Sequence, residues 1–292
     1  MNNPATAKNA DERGMILINV LVIVLLATSV LAIMLAGQDS IVERGLSARE
    51  ATQALSIARG GELSAVTALR RDLAAGNSSD NMTEPWANIN ENDRAIDGGK
   101  FSFTVSDAQA RFNVNSLAKG GITAQATFKD IAAAAGLAPG AADQIAALIA
   151  LTGPLDDLSA LQAAGLNDEQ LAKLSLFCTA LPEATTVNLN SAPEALIAAL
   201  ANNADTARTI VALRGRNGGL NPAALSAANV LTPSGSGITS DYFWSRARVT
   251  VGSTAQSLTS LLHRRMIDGR PQVEAIRRWR GRAPMEAPTL VR

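Results

Sequence analysis

Few residues of this chain have the type and spacing that chemistry needs. Asp156-Asp157 is an adjacent carboxylate pair, and such a pair could share general acid–base work. It also sits where a helix is expected to begin. There Asp caps free N–H groups and meets the positive end of the helix dipole, which accounts for it without catalysis. The single histidine, His263, stands beside Arg264 and Arg265 in an alternating run and reads as a surface or sheet residue. The single cysteine, Cys178, lies between Phe177 and Thr179 at an expected helix end and reads as a small core residue. One His and one Cys are too few for a zinc-type site. G-x-S-x-G, Walker A, H-E-x-x-H and C-x-x-C patterns are absent from the sequence. Arg214-Gly215-Arg216-Asn217-Gly218-Gly219 is a basic, Gly-rich stretch that could hold a phosphate through backbone N–H groups. The last candidate is a bond rather than a side chain. Arg13-Gly14 closes a polar leader, and Met15-Ile16-Leu17-Ile18-Asn19 opens a long apolar run at once.

The element behind that junction is a helix. Met15 to Ala36 carries no charge, and as a helix it spans roughly 33 Å, enough for a hydrocarbon core of about 30 Å. The leader holds Lys8 and Arg13 beside Asp11 and Glu12, a weak positive-inside signal. A leader ending in Gly directly before an apolar run looks like a prepilin-type signal, cut after Gly14 with the helix retained. Two alternatives stand beside it. A secretory signal could be cut after Val30-Leu31-Ala32, although the run exceeds the usual h-region of about 7–15 residues. An uncleaved anchor fits the hydropathy but leaves the Arg-Gly junction without a reason. With no cysteine near the run, a lipoprotein anchor is excluded.

Composition limits the rest. The 292 residues hold 26 basic and 26 acidic side chains, so no global field recruits nucleic acid or an acidic substrate. One cysteine permits no intrachain disulfide. Few aromatics and much alanine favour a helical body over a large β-sandwich. After Ala36, Val42, Leu46, Leu55, Leu63, Val66, Leu69 and Leu73 recur at helical spacing among charges, which predicts one helix over 15–74. Gly60-Gly61 could bend it, and the loop from Gly76 to Asn81 ends it. Period-two runs predict strands at 100–105 and 110–115, and a pair at 243–251 and 257–265 around Gly252-Ser253. Residues 273–279 fit an edge strand or a short helix. The strands before 117 and after 240 are expected in one sheet, with helical residues 118–235 inserted between them.

The helical stretch carries a repeat. Phe112-Asn113-Val114-Asn115-Ser116 resembles Val187-Asn188-Leu189-Asn190-Ser191, 75 residues later. Ile145-Ala146-Ala147-Leu148 and Gly153-Pro154-Leu155 resemble Ile210-Val211-Ala212-Leu213 and Gly218-Gly219-Leu220, each 65 residues later. One copy therefore carries additional residues between its matched parts. The units resemble helix-hairpin-helix or SAM-like repeats, which is where a DNA-binding reading enters.

Taken together the chain resembles the K-type minor pseudopilins of type II secretion systems. The residues that carry the resemblance are Arg13-Gly14 with its apolar helix, Arg70-Arg71-Asp72, Glu84-Pro85-Trp86-Ala87 and Asp107 with Arg111 to Leu117. Leu155 to Leu158, Leu181-Pro182 and Thr186 to Pro193 complete the set. Asn19 stands at the fifth position after the cut, where most pilins have Glu and the K-type subunit lacks it. Two acids beside the cut site and Met15 in place of the commoner Phe depart from the pattern.

The resemblance implies an α+β pseudopilin fold, a long N-terminal helix on a small antiparallel sheet with a large inserted α-helical domain. It divides the chain into a cytoplasmic leader (1–14), a transmembrane helix (15–36), the periplasmic amphipathic part of the helix (37–75), the α/β body (76–117 and 236–283), the insert (118–235) and a tail (284–292). It implies a non-enzymatic subunit in the inner membrane, single-pass, N-terminus cytoplasmic and head periplasmic. Prepilin peptidase would process it at Gly14, leaving Met15 as an N-methylated first residue. Its partners would be the I- and J-type minor pseudopilins at the pseudopilus tip, supporting export of folded proteins. Leu46, Leu55, Leu63 and Val66 are the expected contacts with partner helices. The family brings an expectation of Ca²⁺, for which Asp107 and Asp241 are conceivable ligands; no EF-hand loop occurs and no site is assigned. The alternative is a DNA-binding minor pilin of a type IV pilus or competence system, although the neutral balance predicts no nucleic-acid partner.

Overall fold

The computed structural model describes residues 4–290, and the side chains of 4–14 and 35–40 lie outside that description. The chain divides into two units, Met1–Thr52 and Gln53–Arg292. Helix α1, Pro4–Ala75, contributes to both. In the first unit its segment Met15–Met34 has a mean hydropathy of 2.9 over 20 residues, with none of it buried. The hydroxyls of Thr28 and Ser29 donate to carbonyls of Val24 and Leu25 in the same helix. Polar side chains satisfied in this way are compatible with lipid.

In the second unit α1 lies on a sheet through small residues. Ala54, Ala58, Ala65 and Leu69 are fully buried, at the spacing that keeps side chains on one helix face. The helix continues through Gly60-Gly61 rather than ending there. A Cβ on Gly61 would sit 3.0 Å from the Phe103 ring, so this glycine serves close helix–sheet approach. This alters the stripe read from the sequence. Leu63 points away from the sheet and is 61% exposed, whereas Val66 is half-buried against the sheet core.

Strands β1 (Asn90–Ile96) and β2 (Gly99–Asp107) follow the loop after α1. β1 escapes sequence detection because its side chains are mostly exposed and show no apolar alternation. It is held as an edge strand by the short connection to β2. The expected strand over 110–115 shrinks to β3 (Phe112–Asn113), which joins a separate parallel pair with Cys178–Thr179 and not the main sheet.

The helical segment comprises α2 (Gly121–Ala134), α3 (Ala141–Thr152), α4 (Asp168–Leu174), α5 (Glu194–Ala201), α6 (Ala204–Asn217) and α7 (Pro222–Ala227). The short strands β4 (Cys178–Thr179), β5 (Val187–Asn188) and β6 (Ser236–Gly237) are set among them. One core unites this segment, including Ile131, Ile145, Leu158, Leu171, Leu196 and Ile210. Phe112, Val114 and Leu117 belong to it too. The boundary between body and insert thus falls before Phe112, earlier than the composition break at 118. A two-residue alternation cannot distinguish a sheet strand from an extended entry into a helical core.

The chain then returns as β7 (Tyr242–Val251), β8 (Thr254–Ile267) and β9 (Arg270–Arg280). Among the described residues the main sheet has the order β1-β2-β7-β8-β9, with antiparallel neighbours throughout. Strands from both sides of the insert therefore form one sheet. Residues 273–279 resolve as edge strand. Asp268 and Gly269, both at positive φ, make the tight turn that pairs Ile267 with Arg270. The sheet core holds Trp86, Phe103, Phe243, Val249, Leu258 and Leu262 beside α1. The opposite face has a smaller cluster of Tyr242, Trp244, Leu261 and Ala287.

The repeat is a structural one. Asn115 accepts from the Leu155 N–H at 2.8 Å and donates to the Leu155 carbonyl at 2.9 Å. Asn190 accepts from the Leu220 N–H at 2.6 Å and donates to the Leu220 carbonyl at 3.0 Å. Each Asn clamps one backbone unit after a pair of helices, α2 and α3 in one copy, α5 and α6 in the other. The clamps span 40 and 30 residues, so the first copy contains the additional residues. Asn is suited to this because one side chain offers both an acceptor and donors.

Candidate functional site

Two features stand out: the exposed helix of the first unit, and a buried polar junction in the second. In the first unit Met15 is 64% exposed and Asn19 is exposed beside it. Gly14, the expected cut site, has its side-chain position outside the described ones. Ile41, Val42 and Leu46 are 70%, 60% and 53% exposed, an apolar surface on a helix that continues beyond the membrane-length segment.

The junction is built around Arg264. β8 alternates inward with Leu258, Ser260, Leu262 and Arg264, so its last inward position places a guanidinium in the interior. Arg264 donates to Asp72 near the end of α1 at 2.6 Å and to Asp80 in the following loop. It also donates to the Ser240 carbonyl at 2.9 Å and lies over the Phe243 ring at 4.8 Å. All three charged side chains are at most 6% exposed. Burial raises the Asp80 pKa, with Arg264 opposing. Glu84, beside them, accepts from the Trp86 indole at 2.6 Å and Asn81 at 3.2 Å. Burial pushes Glu84 up to about 6. One cation thus ties the helix end, the loop and the sheet together.

A second cluster joins the insert to the body. Asp107 closes β2 and is buried. It accepts from the Gln109 N–H at 2.7 Å, from Asn188 at 2.8 Å, from Ser240 at 2.8 Å and from the Ser191 hydroxyl. Asn188 reaches back to the Asp80 carbonyl at 3.1 Å, so the two clusters are continuous. The repeated Asn-x-Asn-Ser segment therefore has different duties in its two copies. Asn113 donates to Leu181 and Glu183 carbonyls inside the insert, whereas Asn188 faces the body.

These arrangements do not fit Ca²⁺. Oxygens of Asp72, Asp80 and Glu84 lie within 4.8 Å of one another, but Arg264 already supplies the positive charge there. Ca²⁺ takes six to eight oxygen ligands, and the neighbours here are N–H donors. The Asp107 carboxylate is engaged by donors on both oxygens, and Asp241 is exposed.

The other sequence candidates have structural duties. Asp157 caps the 3-10 turn Leu158–Ala164 through the Ser159 N–H, and Asp156 pairs with Arg277 at 2.7 Å. Cys178 is buried on a short strand rather than at a helix end, and burial pushes its thiol far up. His263 stacks on Tyr242 at 4.4 Å; burial, then Arg265, lowers its pKa. In the Gly-rich stretch, Arg214 donates to the carbonyls of Leu189 and Ala192, and Gly218 caps α6 in the left-handed conformation. That cation is used inside the chain. Arg264, Asp72 and Asp80 form a cluster that no local sequence pattern reveals. For Arg264 alone the local signal is a charge at the inward parity set by Leu258 and Leu262.

Glu286 is a further buried acid, on the C-terminal segment. It accepts from the Leu158 N–H at 3.2 Å, and its carbonyl accepts from Arg111. Its second carboxylate oxygen has no partner among the described residues. Burial raises its pKa from an ordinary 4.5 to about 7. The folded state thus favours the neutral acid, and the stability present below about pH 4.5 is lost as pH rises through about 7. Glu286→Gln is expected to remove up to about 3 kcal/mol of that loss. Denaturant unfolding at pH 5 and pH 8 checks it: the wild type weakens over this range more than the variant. An equal change in both would contradict it.

Comparisons place this geometry. The chain matches no protein-family model. It is 27% identical over 245 residues to the type II secretion system protein K of Pseudomonas aeruginosa strain PAO1, covering 71% of this chain and 74% of the relative. Its fold is that of a chain in the crystal structure of the GspK-GspI-GspJ complex from the type 2 secretion system of enterotoxigenic Escherichia coli. That match has a TM-score of 0.63 at 19% identity, over 82% of this chain and all of that one. The apolar helix, the single sheet split by a helical insert and the sequence match to protein K agree, and together they support a K-type minor pseudopilin of a type II secretion system.

Proposed function

We propose that this subunit sits at the end of a pseudopilus with I- and J-type minor pseudopilins, anchored in the inner membrane with its head in the periplasm. It acts by assembly and not by catalysis. The observation that carries the reading is the exposed apolar surface of Ile41, Val42 and Leu46 on a helix whose preceding segment is membrane-length. Such a surface in water calls for another helix to cover it. Leu63, exposed in the second unit, extends the same demand, and Leu55 is half-buried. Val66 is withdrawn from the contact because it packs on its own sheet.

Asn19 supports the terminal position. A Glu there would need a partner amine from a neighbouring subunit within lipid, and an unpaired buried charge is costly. The last subunit has no neighbour above it, and Asn avoids the penalty. The DNA-binding alternative is weakened by the internal use of Arg214.

Leu46→Asp with Leu63→Asp is expected to lower copurification with the I- and J-type partners at least about fivefold, since each buried Leu is worth roughly 2 kcal/mol. The head should keep its circular dichroism spectrum. Mass spectrometry of the same preparation should give Met15 as an N-methylated first residue. Unchanged copurification would remove the interface, and an N-terminus at Met1 or Ile33 would remove the processing step.

A further inference from the structure

The sheet face turned away from α1 is only partly covered. At one end the C-terminal segment lies over it, where Ala287 packs with Tyr242, Trp244 and Leu261. Farther along the same face, Lys100 and Ser102 of β2, Arg246 and Arg248 of β7 and Ser257 of β8 line a groove of about 650 Å³. The register places Arg248 between Ser102 and Ser257 on the adjacent strands. Arg246 and Arg248, two residues apart on one strand, project from the same face.

The charge of this groove is one-sided. Asp93 is the acid lining it, and it is taken up by Lys100 at 3.5 Å. Arg246 donates one amino group to the Pro288 carbonyl at 2.7 Å, and its Nε has no acceptor among the described residues. Arg248 is exposed and has no carboxylate partner among the described residues. Burial and then the charge of Arg248 lower the Arg246 pKa. Like charges at successive same-face positions of one strand repel each other. Folding alone gives no reason to keep them there, and an anion laid across them reverses the sign.

We propose that this groove docks an extended acidic segment of a partner protein, whose carboxylates on alternate residues meet Arg246 and Arg248. Alternate side chains of an extended segment repeat at about 6.6–6.8 Å, the same spacing as the two arginines on their strand. Arginine forks suit carboxylates in bidentate geometry. A lipid surface is the poorer occupant. Interfacial binding combines basic residues with apolar side chains that enter the bilayer, and the one large apolar residue lining this groove, Leu290, is half-buried. The surface is separate from the helix contacts of the assembly reading, and either can fail without the other.

The test uses the full chain in nanodiscs of zwitterionic phosphatidylcholine and a fluorescent decapeptide of alternating Glu and Thr. Anisotropy should show binding that weakens between roughly 50 mM and 200 mM salt. Arg248→Glu, at an exposed position, should weaken it at least about tenfold, and Arg248→Lys should lose less. No binding above that of a Lys-Thr decapeptide, or equal binding by Arg248→Glu, would overturn the proposal. So would Arg248-dependent binding of phosphatidylglycerol vesicles without binding of the acidic peptide, which would assign the groove to lipid.

Discussion

Arg264→Met is expected to destabilise the head by about 3–5 kcal/mol, because it removes the cation from a buried cluster and leaves the acids in place. Asp72 and Asp80 both lose their ion-pair partner, and Glu84 stands next to them. The pH dependence has a definite sign. Asp80 and Glu84 are already raised by burial, and loss of the guanidinium raises Asp80 further. A raised acid favours the folded state at low pH and penalises it once pH passes the folded pKa. The deficit of Arg264→Met should therefore be larger at pH 8 than at pH 5. Adding Asp80→Asn should restore part of it. Limited proteolysis should locate the damage in the loop after α1, where Asp80 is otherwise held. Denaturant unfolding measures the cost, and a deficit under about 1 kcal/mol would show that the cluster does not hold the loop.

Asp107→Ala is the second large effect, expected at about 3–4 kcal/mol from the loss of a buried carboxylate with several donors left behind. Ser191, Ser240 and Asn188 lose an acceptor together, and the Gln109 N–H loses the cap on its short turn. Asp107→Asn should cost less, because one amide oxygen still accepts while its NH₂ must face donors. The loss should be concentrated where the insert meets the body. Hydrogen exchange should accelerate at β5 and at Ser240 before the repeat clamp at Asn115 opens. Exchange rising evenly across both helical copies, or a cost under about 1 kcal/mol, would show that Asp107 is not the tie between them.

What could be read from residues alone was whatever depends on neighbours in the chain. The apolar run from Met15 was legible because a lipid-length helix needs only composition and length. The strands over Phe243–Val251 and Ser257–Arg265 were legible because alternation with period two is a local pattern. β1 was not, since an edge strand with mostly exposed side chains has no such pattern and exists through its pairing with β2. The paired Asn-x-Asn-Ser segments showed that a repeat existed. They could not show that Asn115 and Asn190 each clamp a backbone unit 40 and 30 residues away.

The local code thus set the anchor, the order of strands, helices and strands, and the family likeness. Tertiary packing decided which acids are buried, because burial of Asp72, Asp80 and Asp107 depends on partners far away in sequence. Arg264 lies 192 residues from Asp72, and Asn188 lies 81 from Asp107. It also decided which stripe of α1 faces inward. The helix turned its small residues, Ala54, Ala58 and Gly61, toward the sheet because close approach needs small side chains. That left the larger Leu63 outside, exposed on the face turned from the sheet.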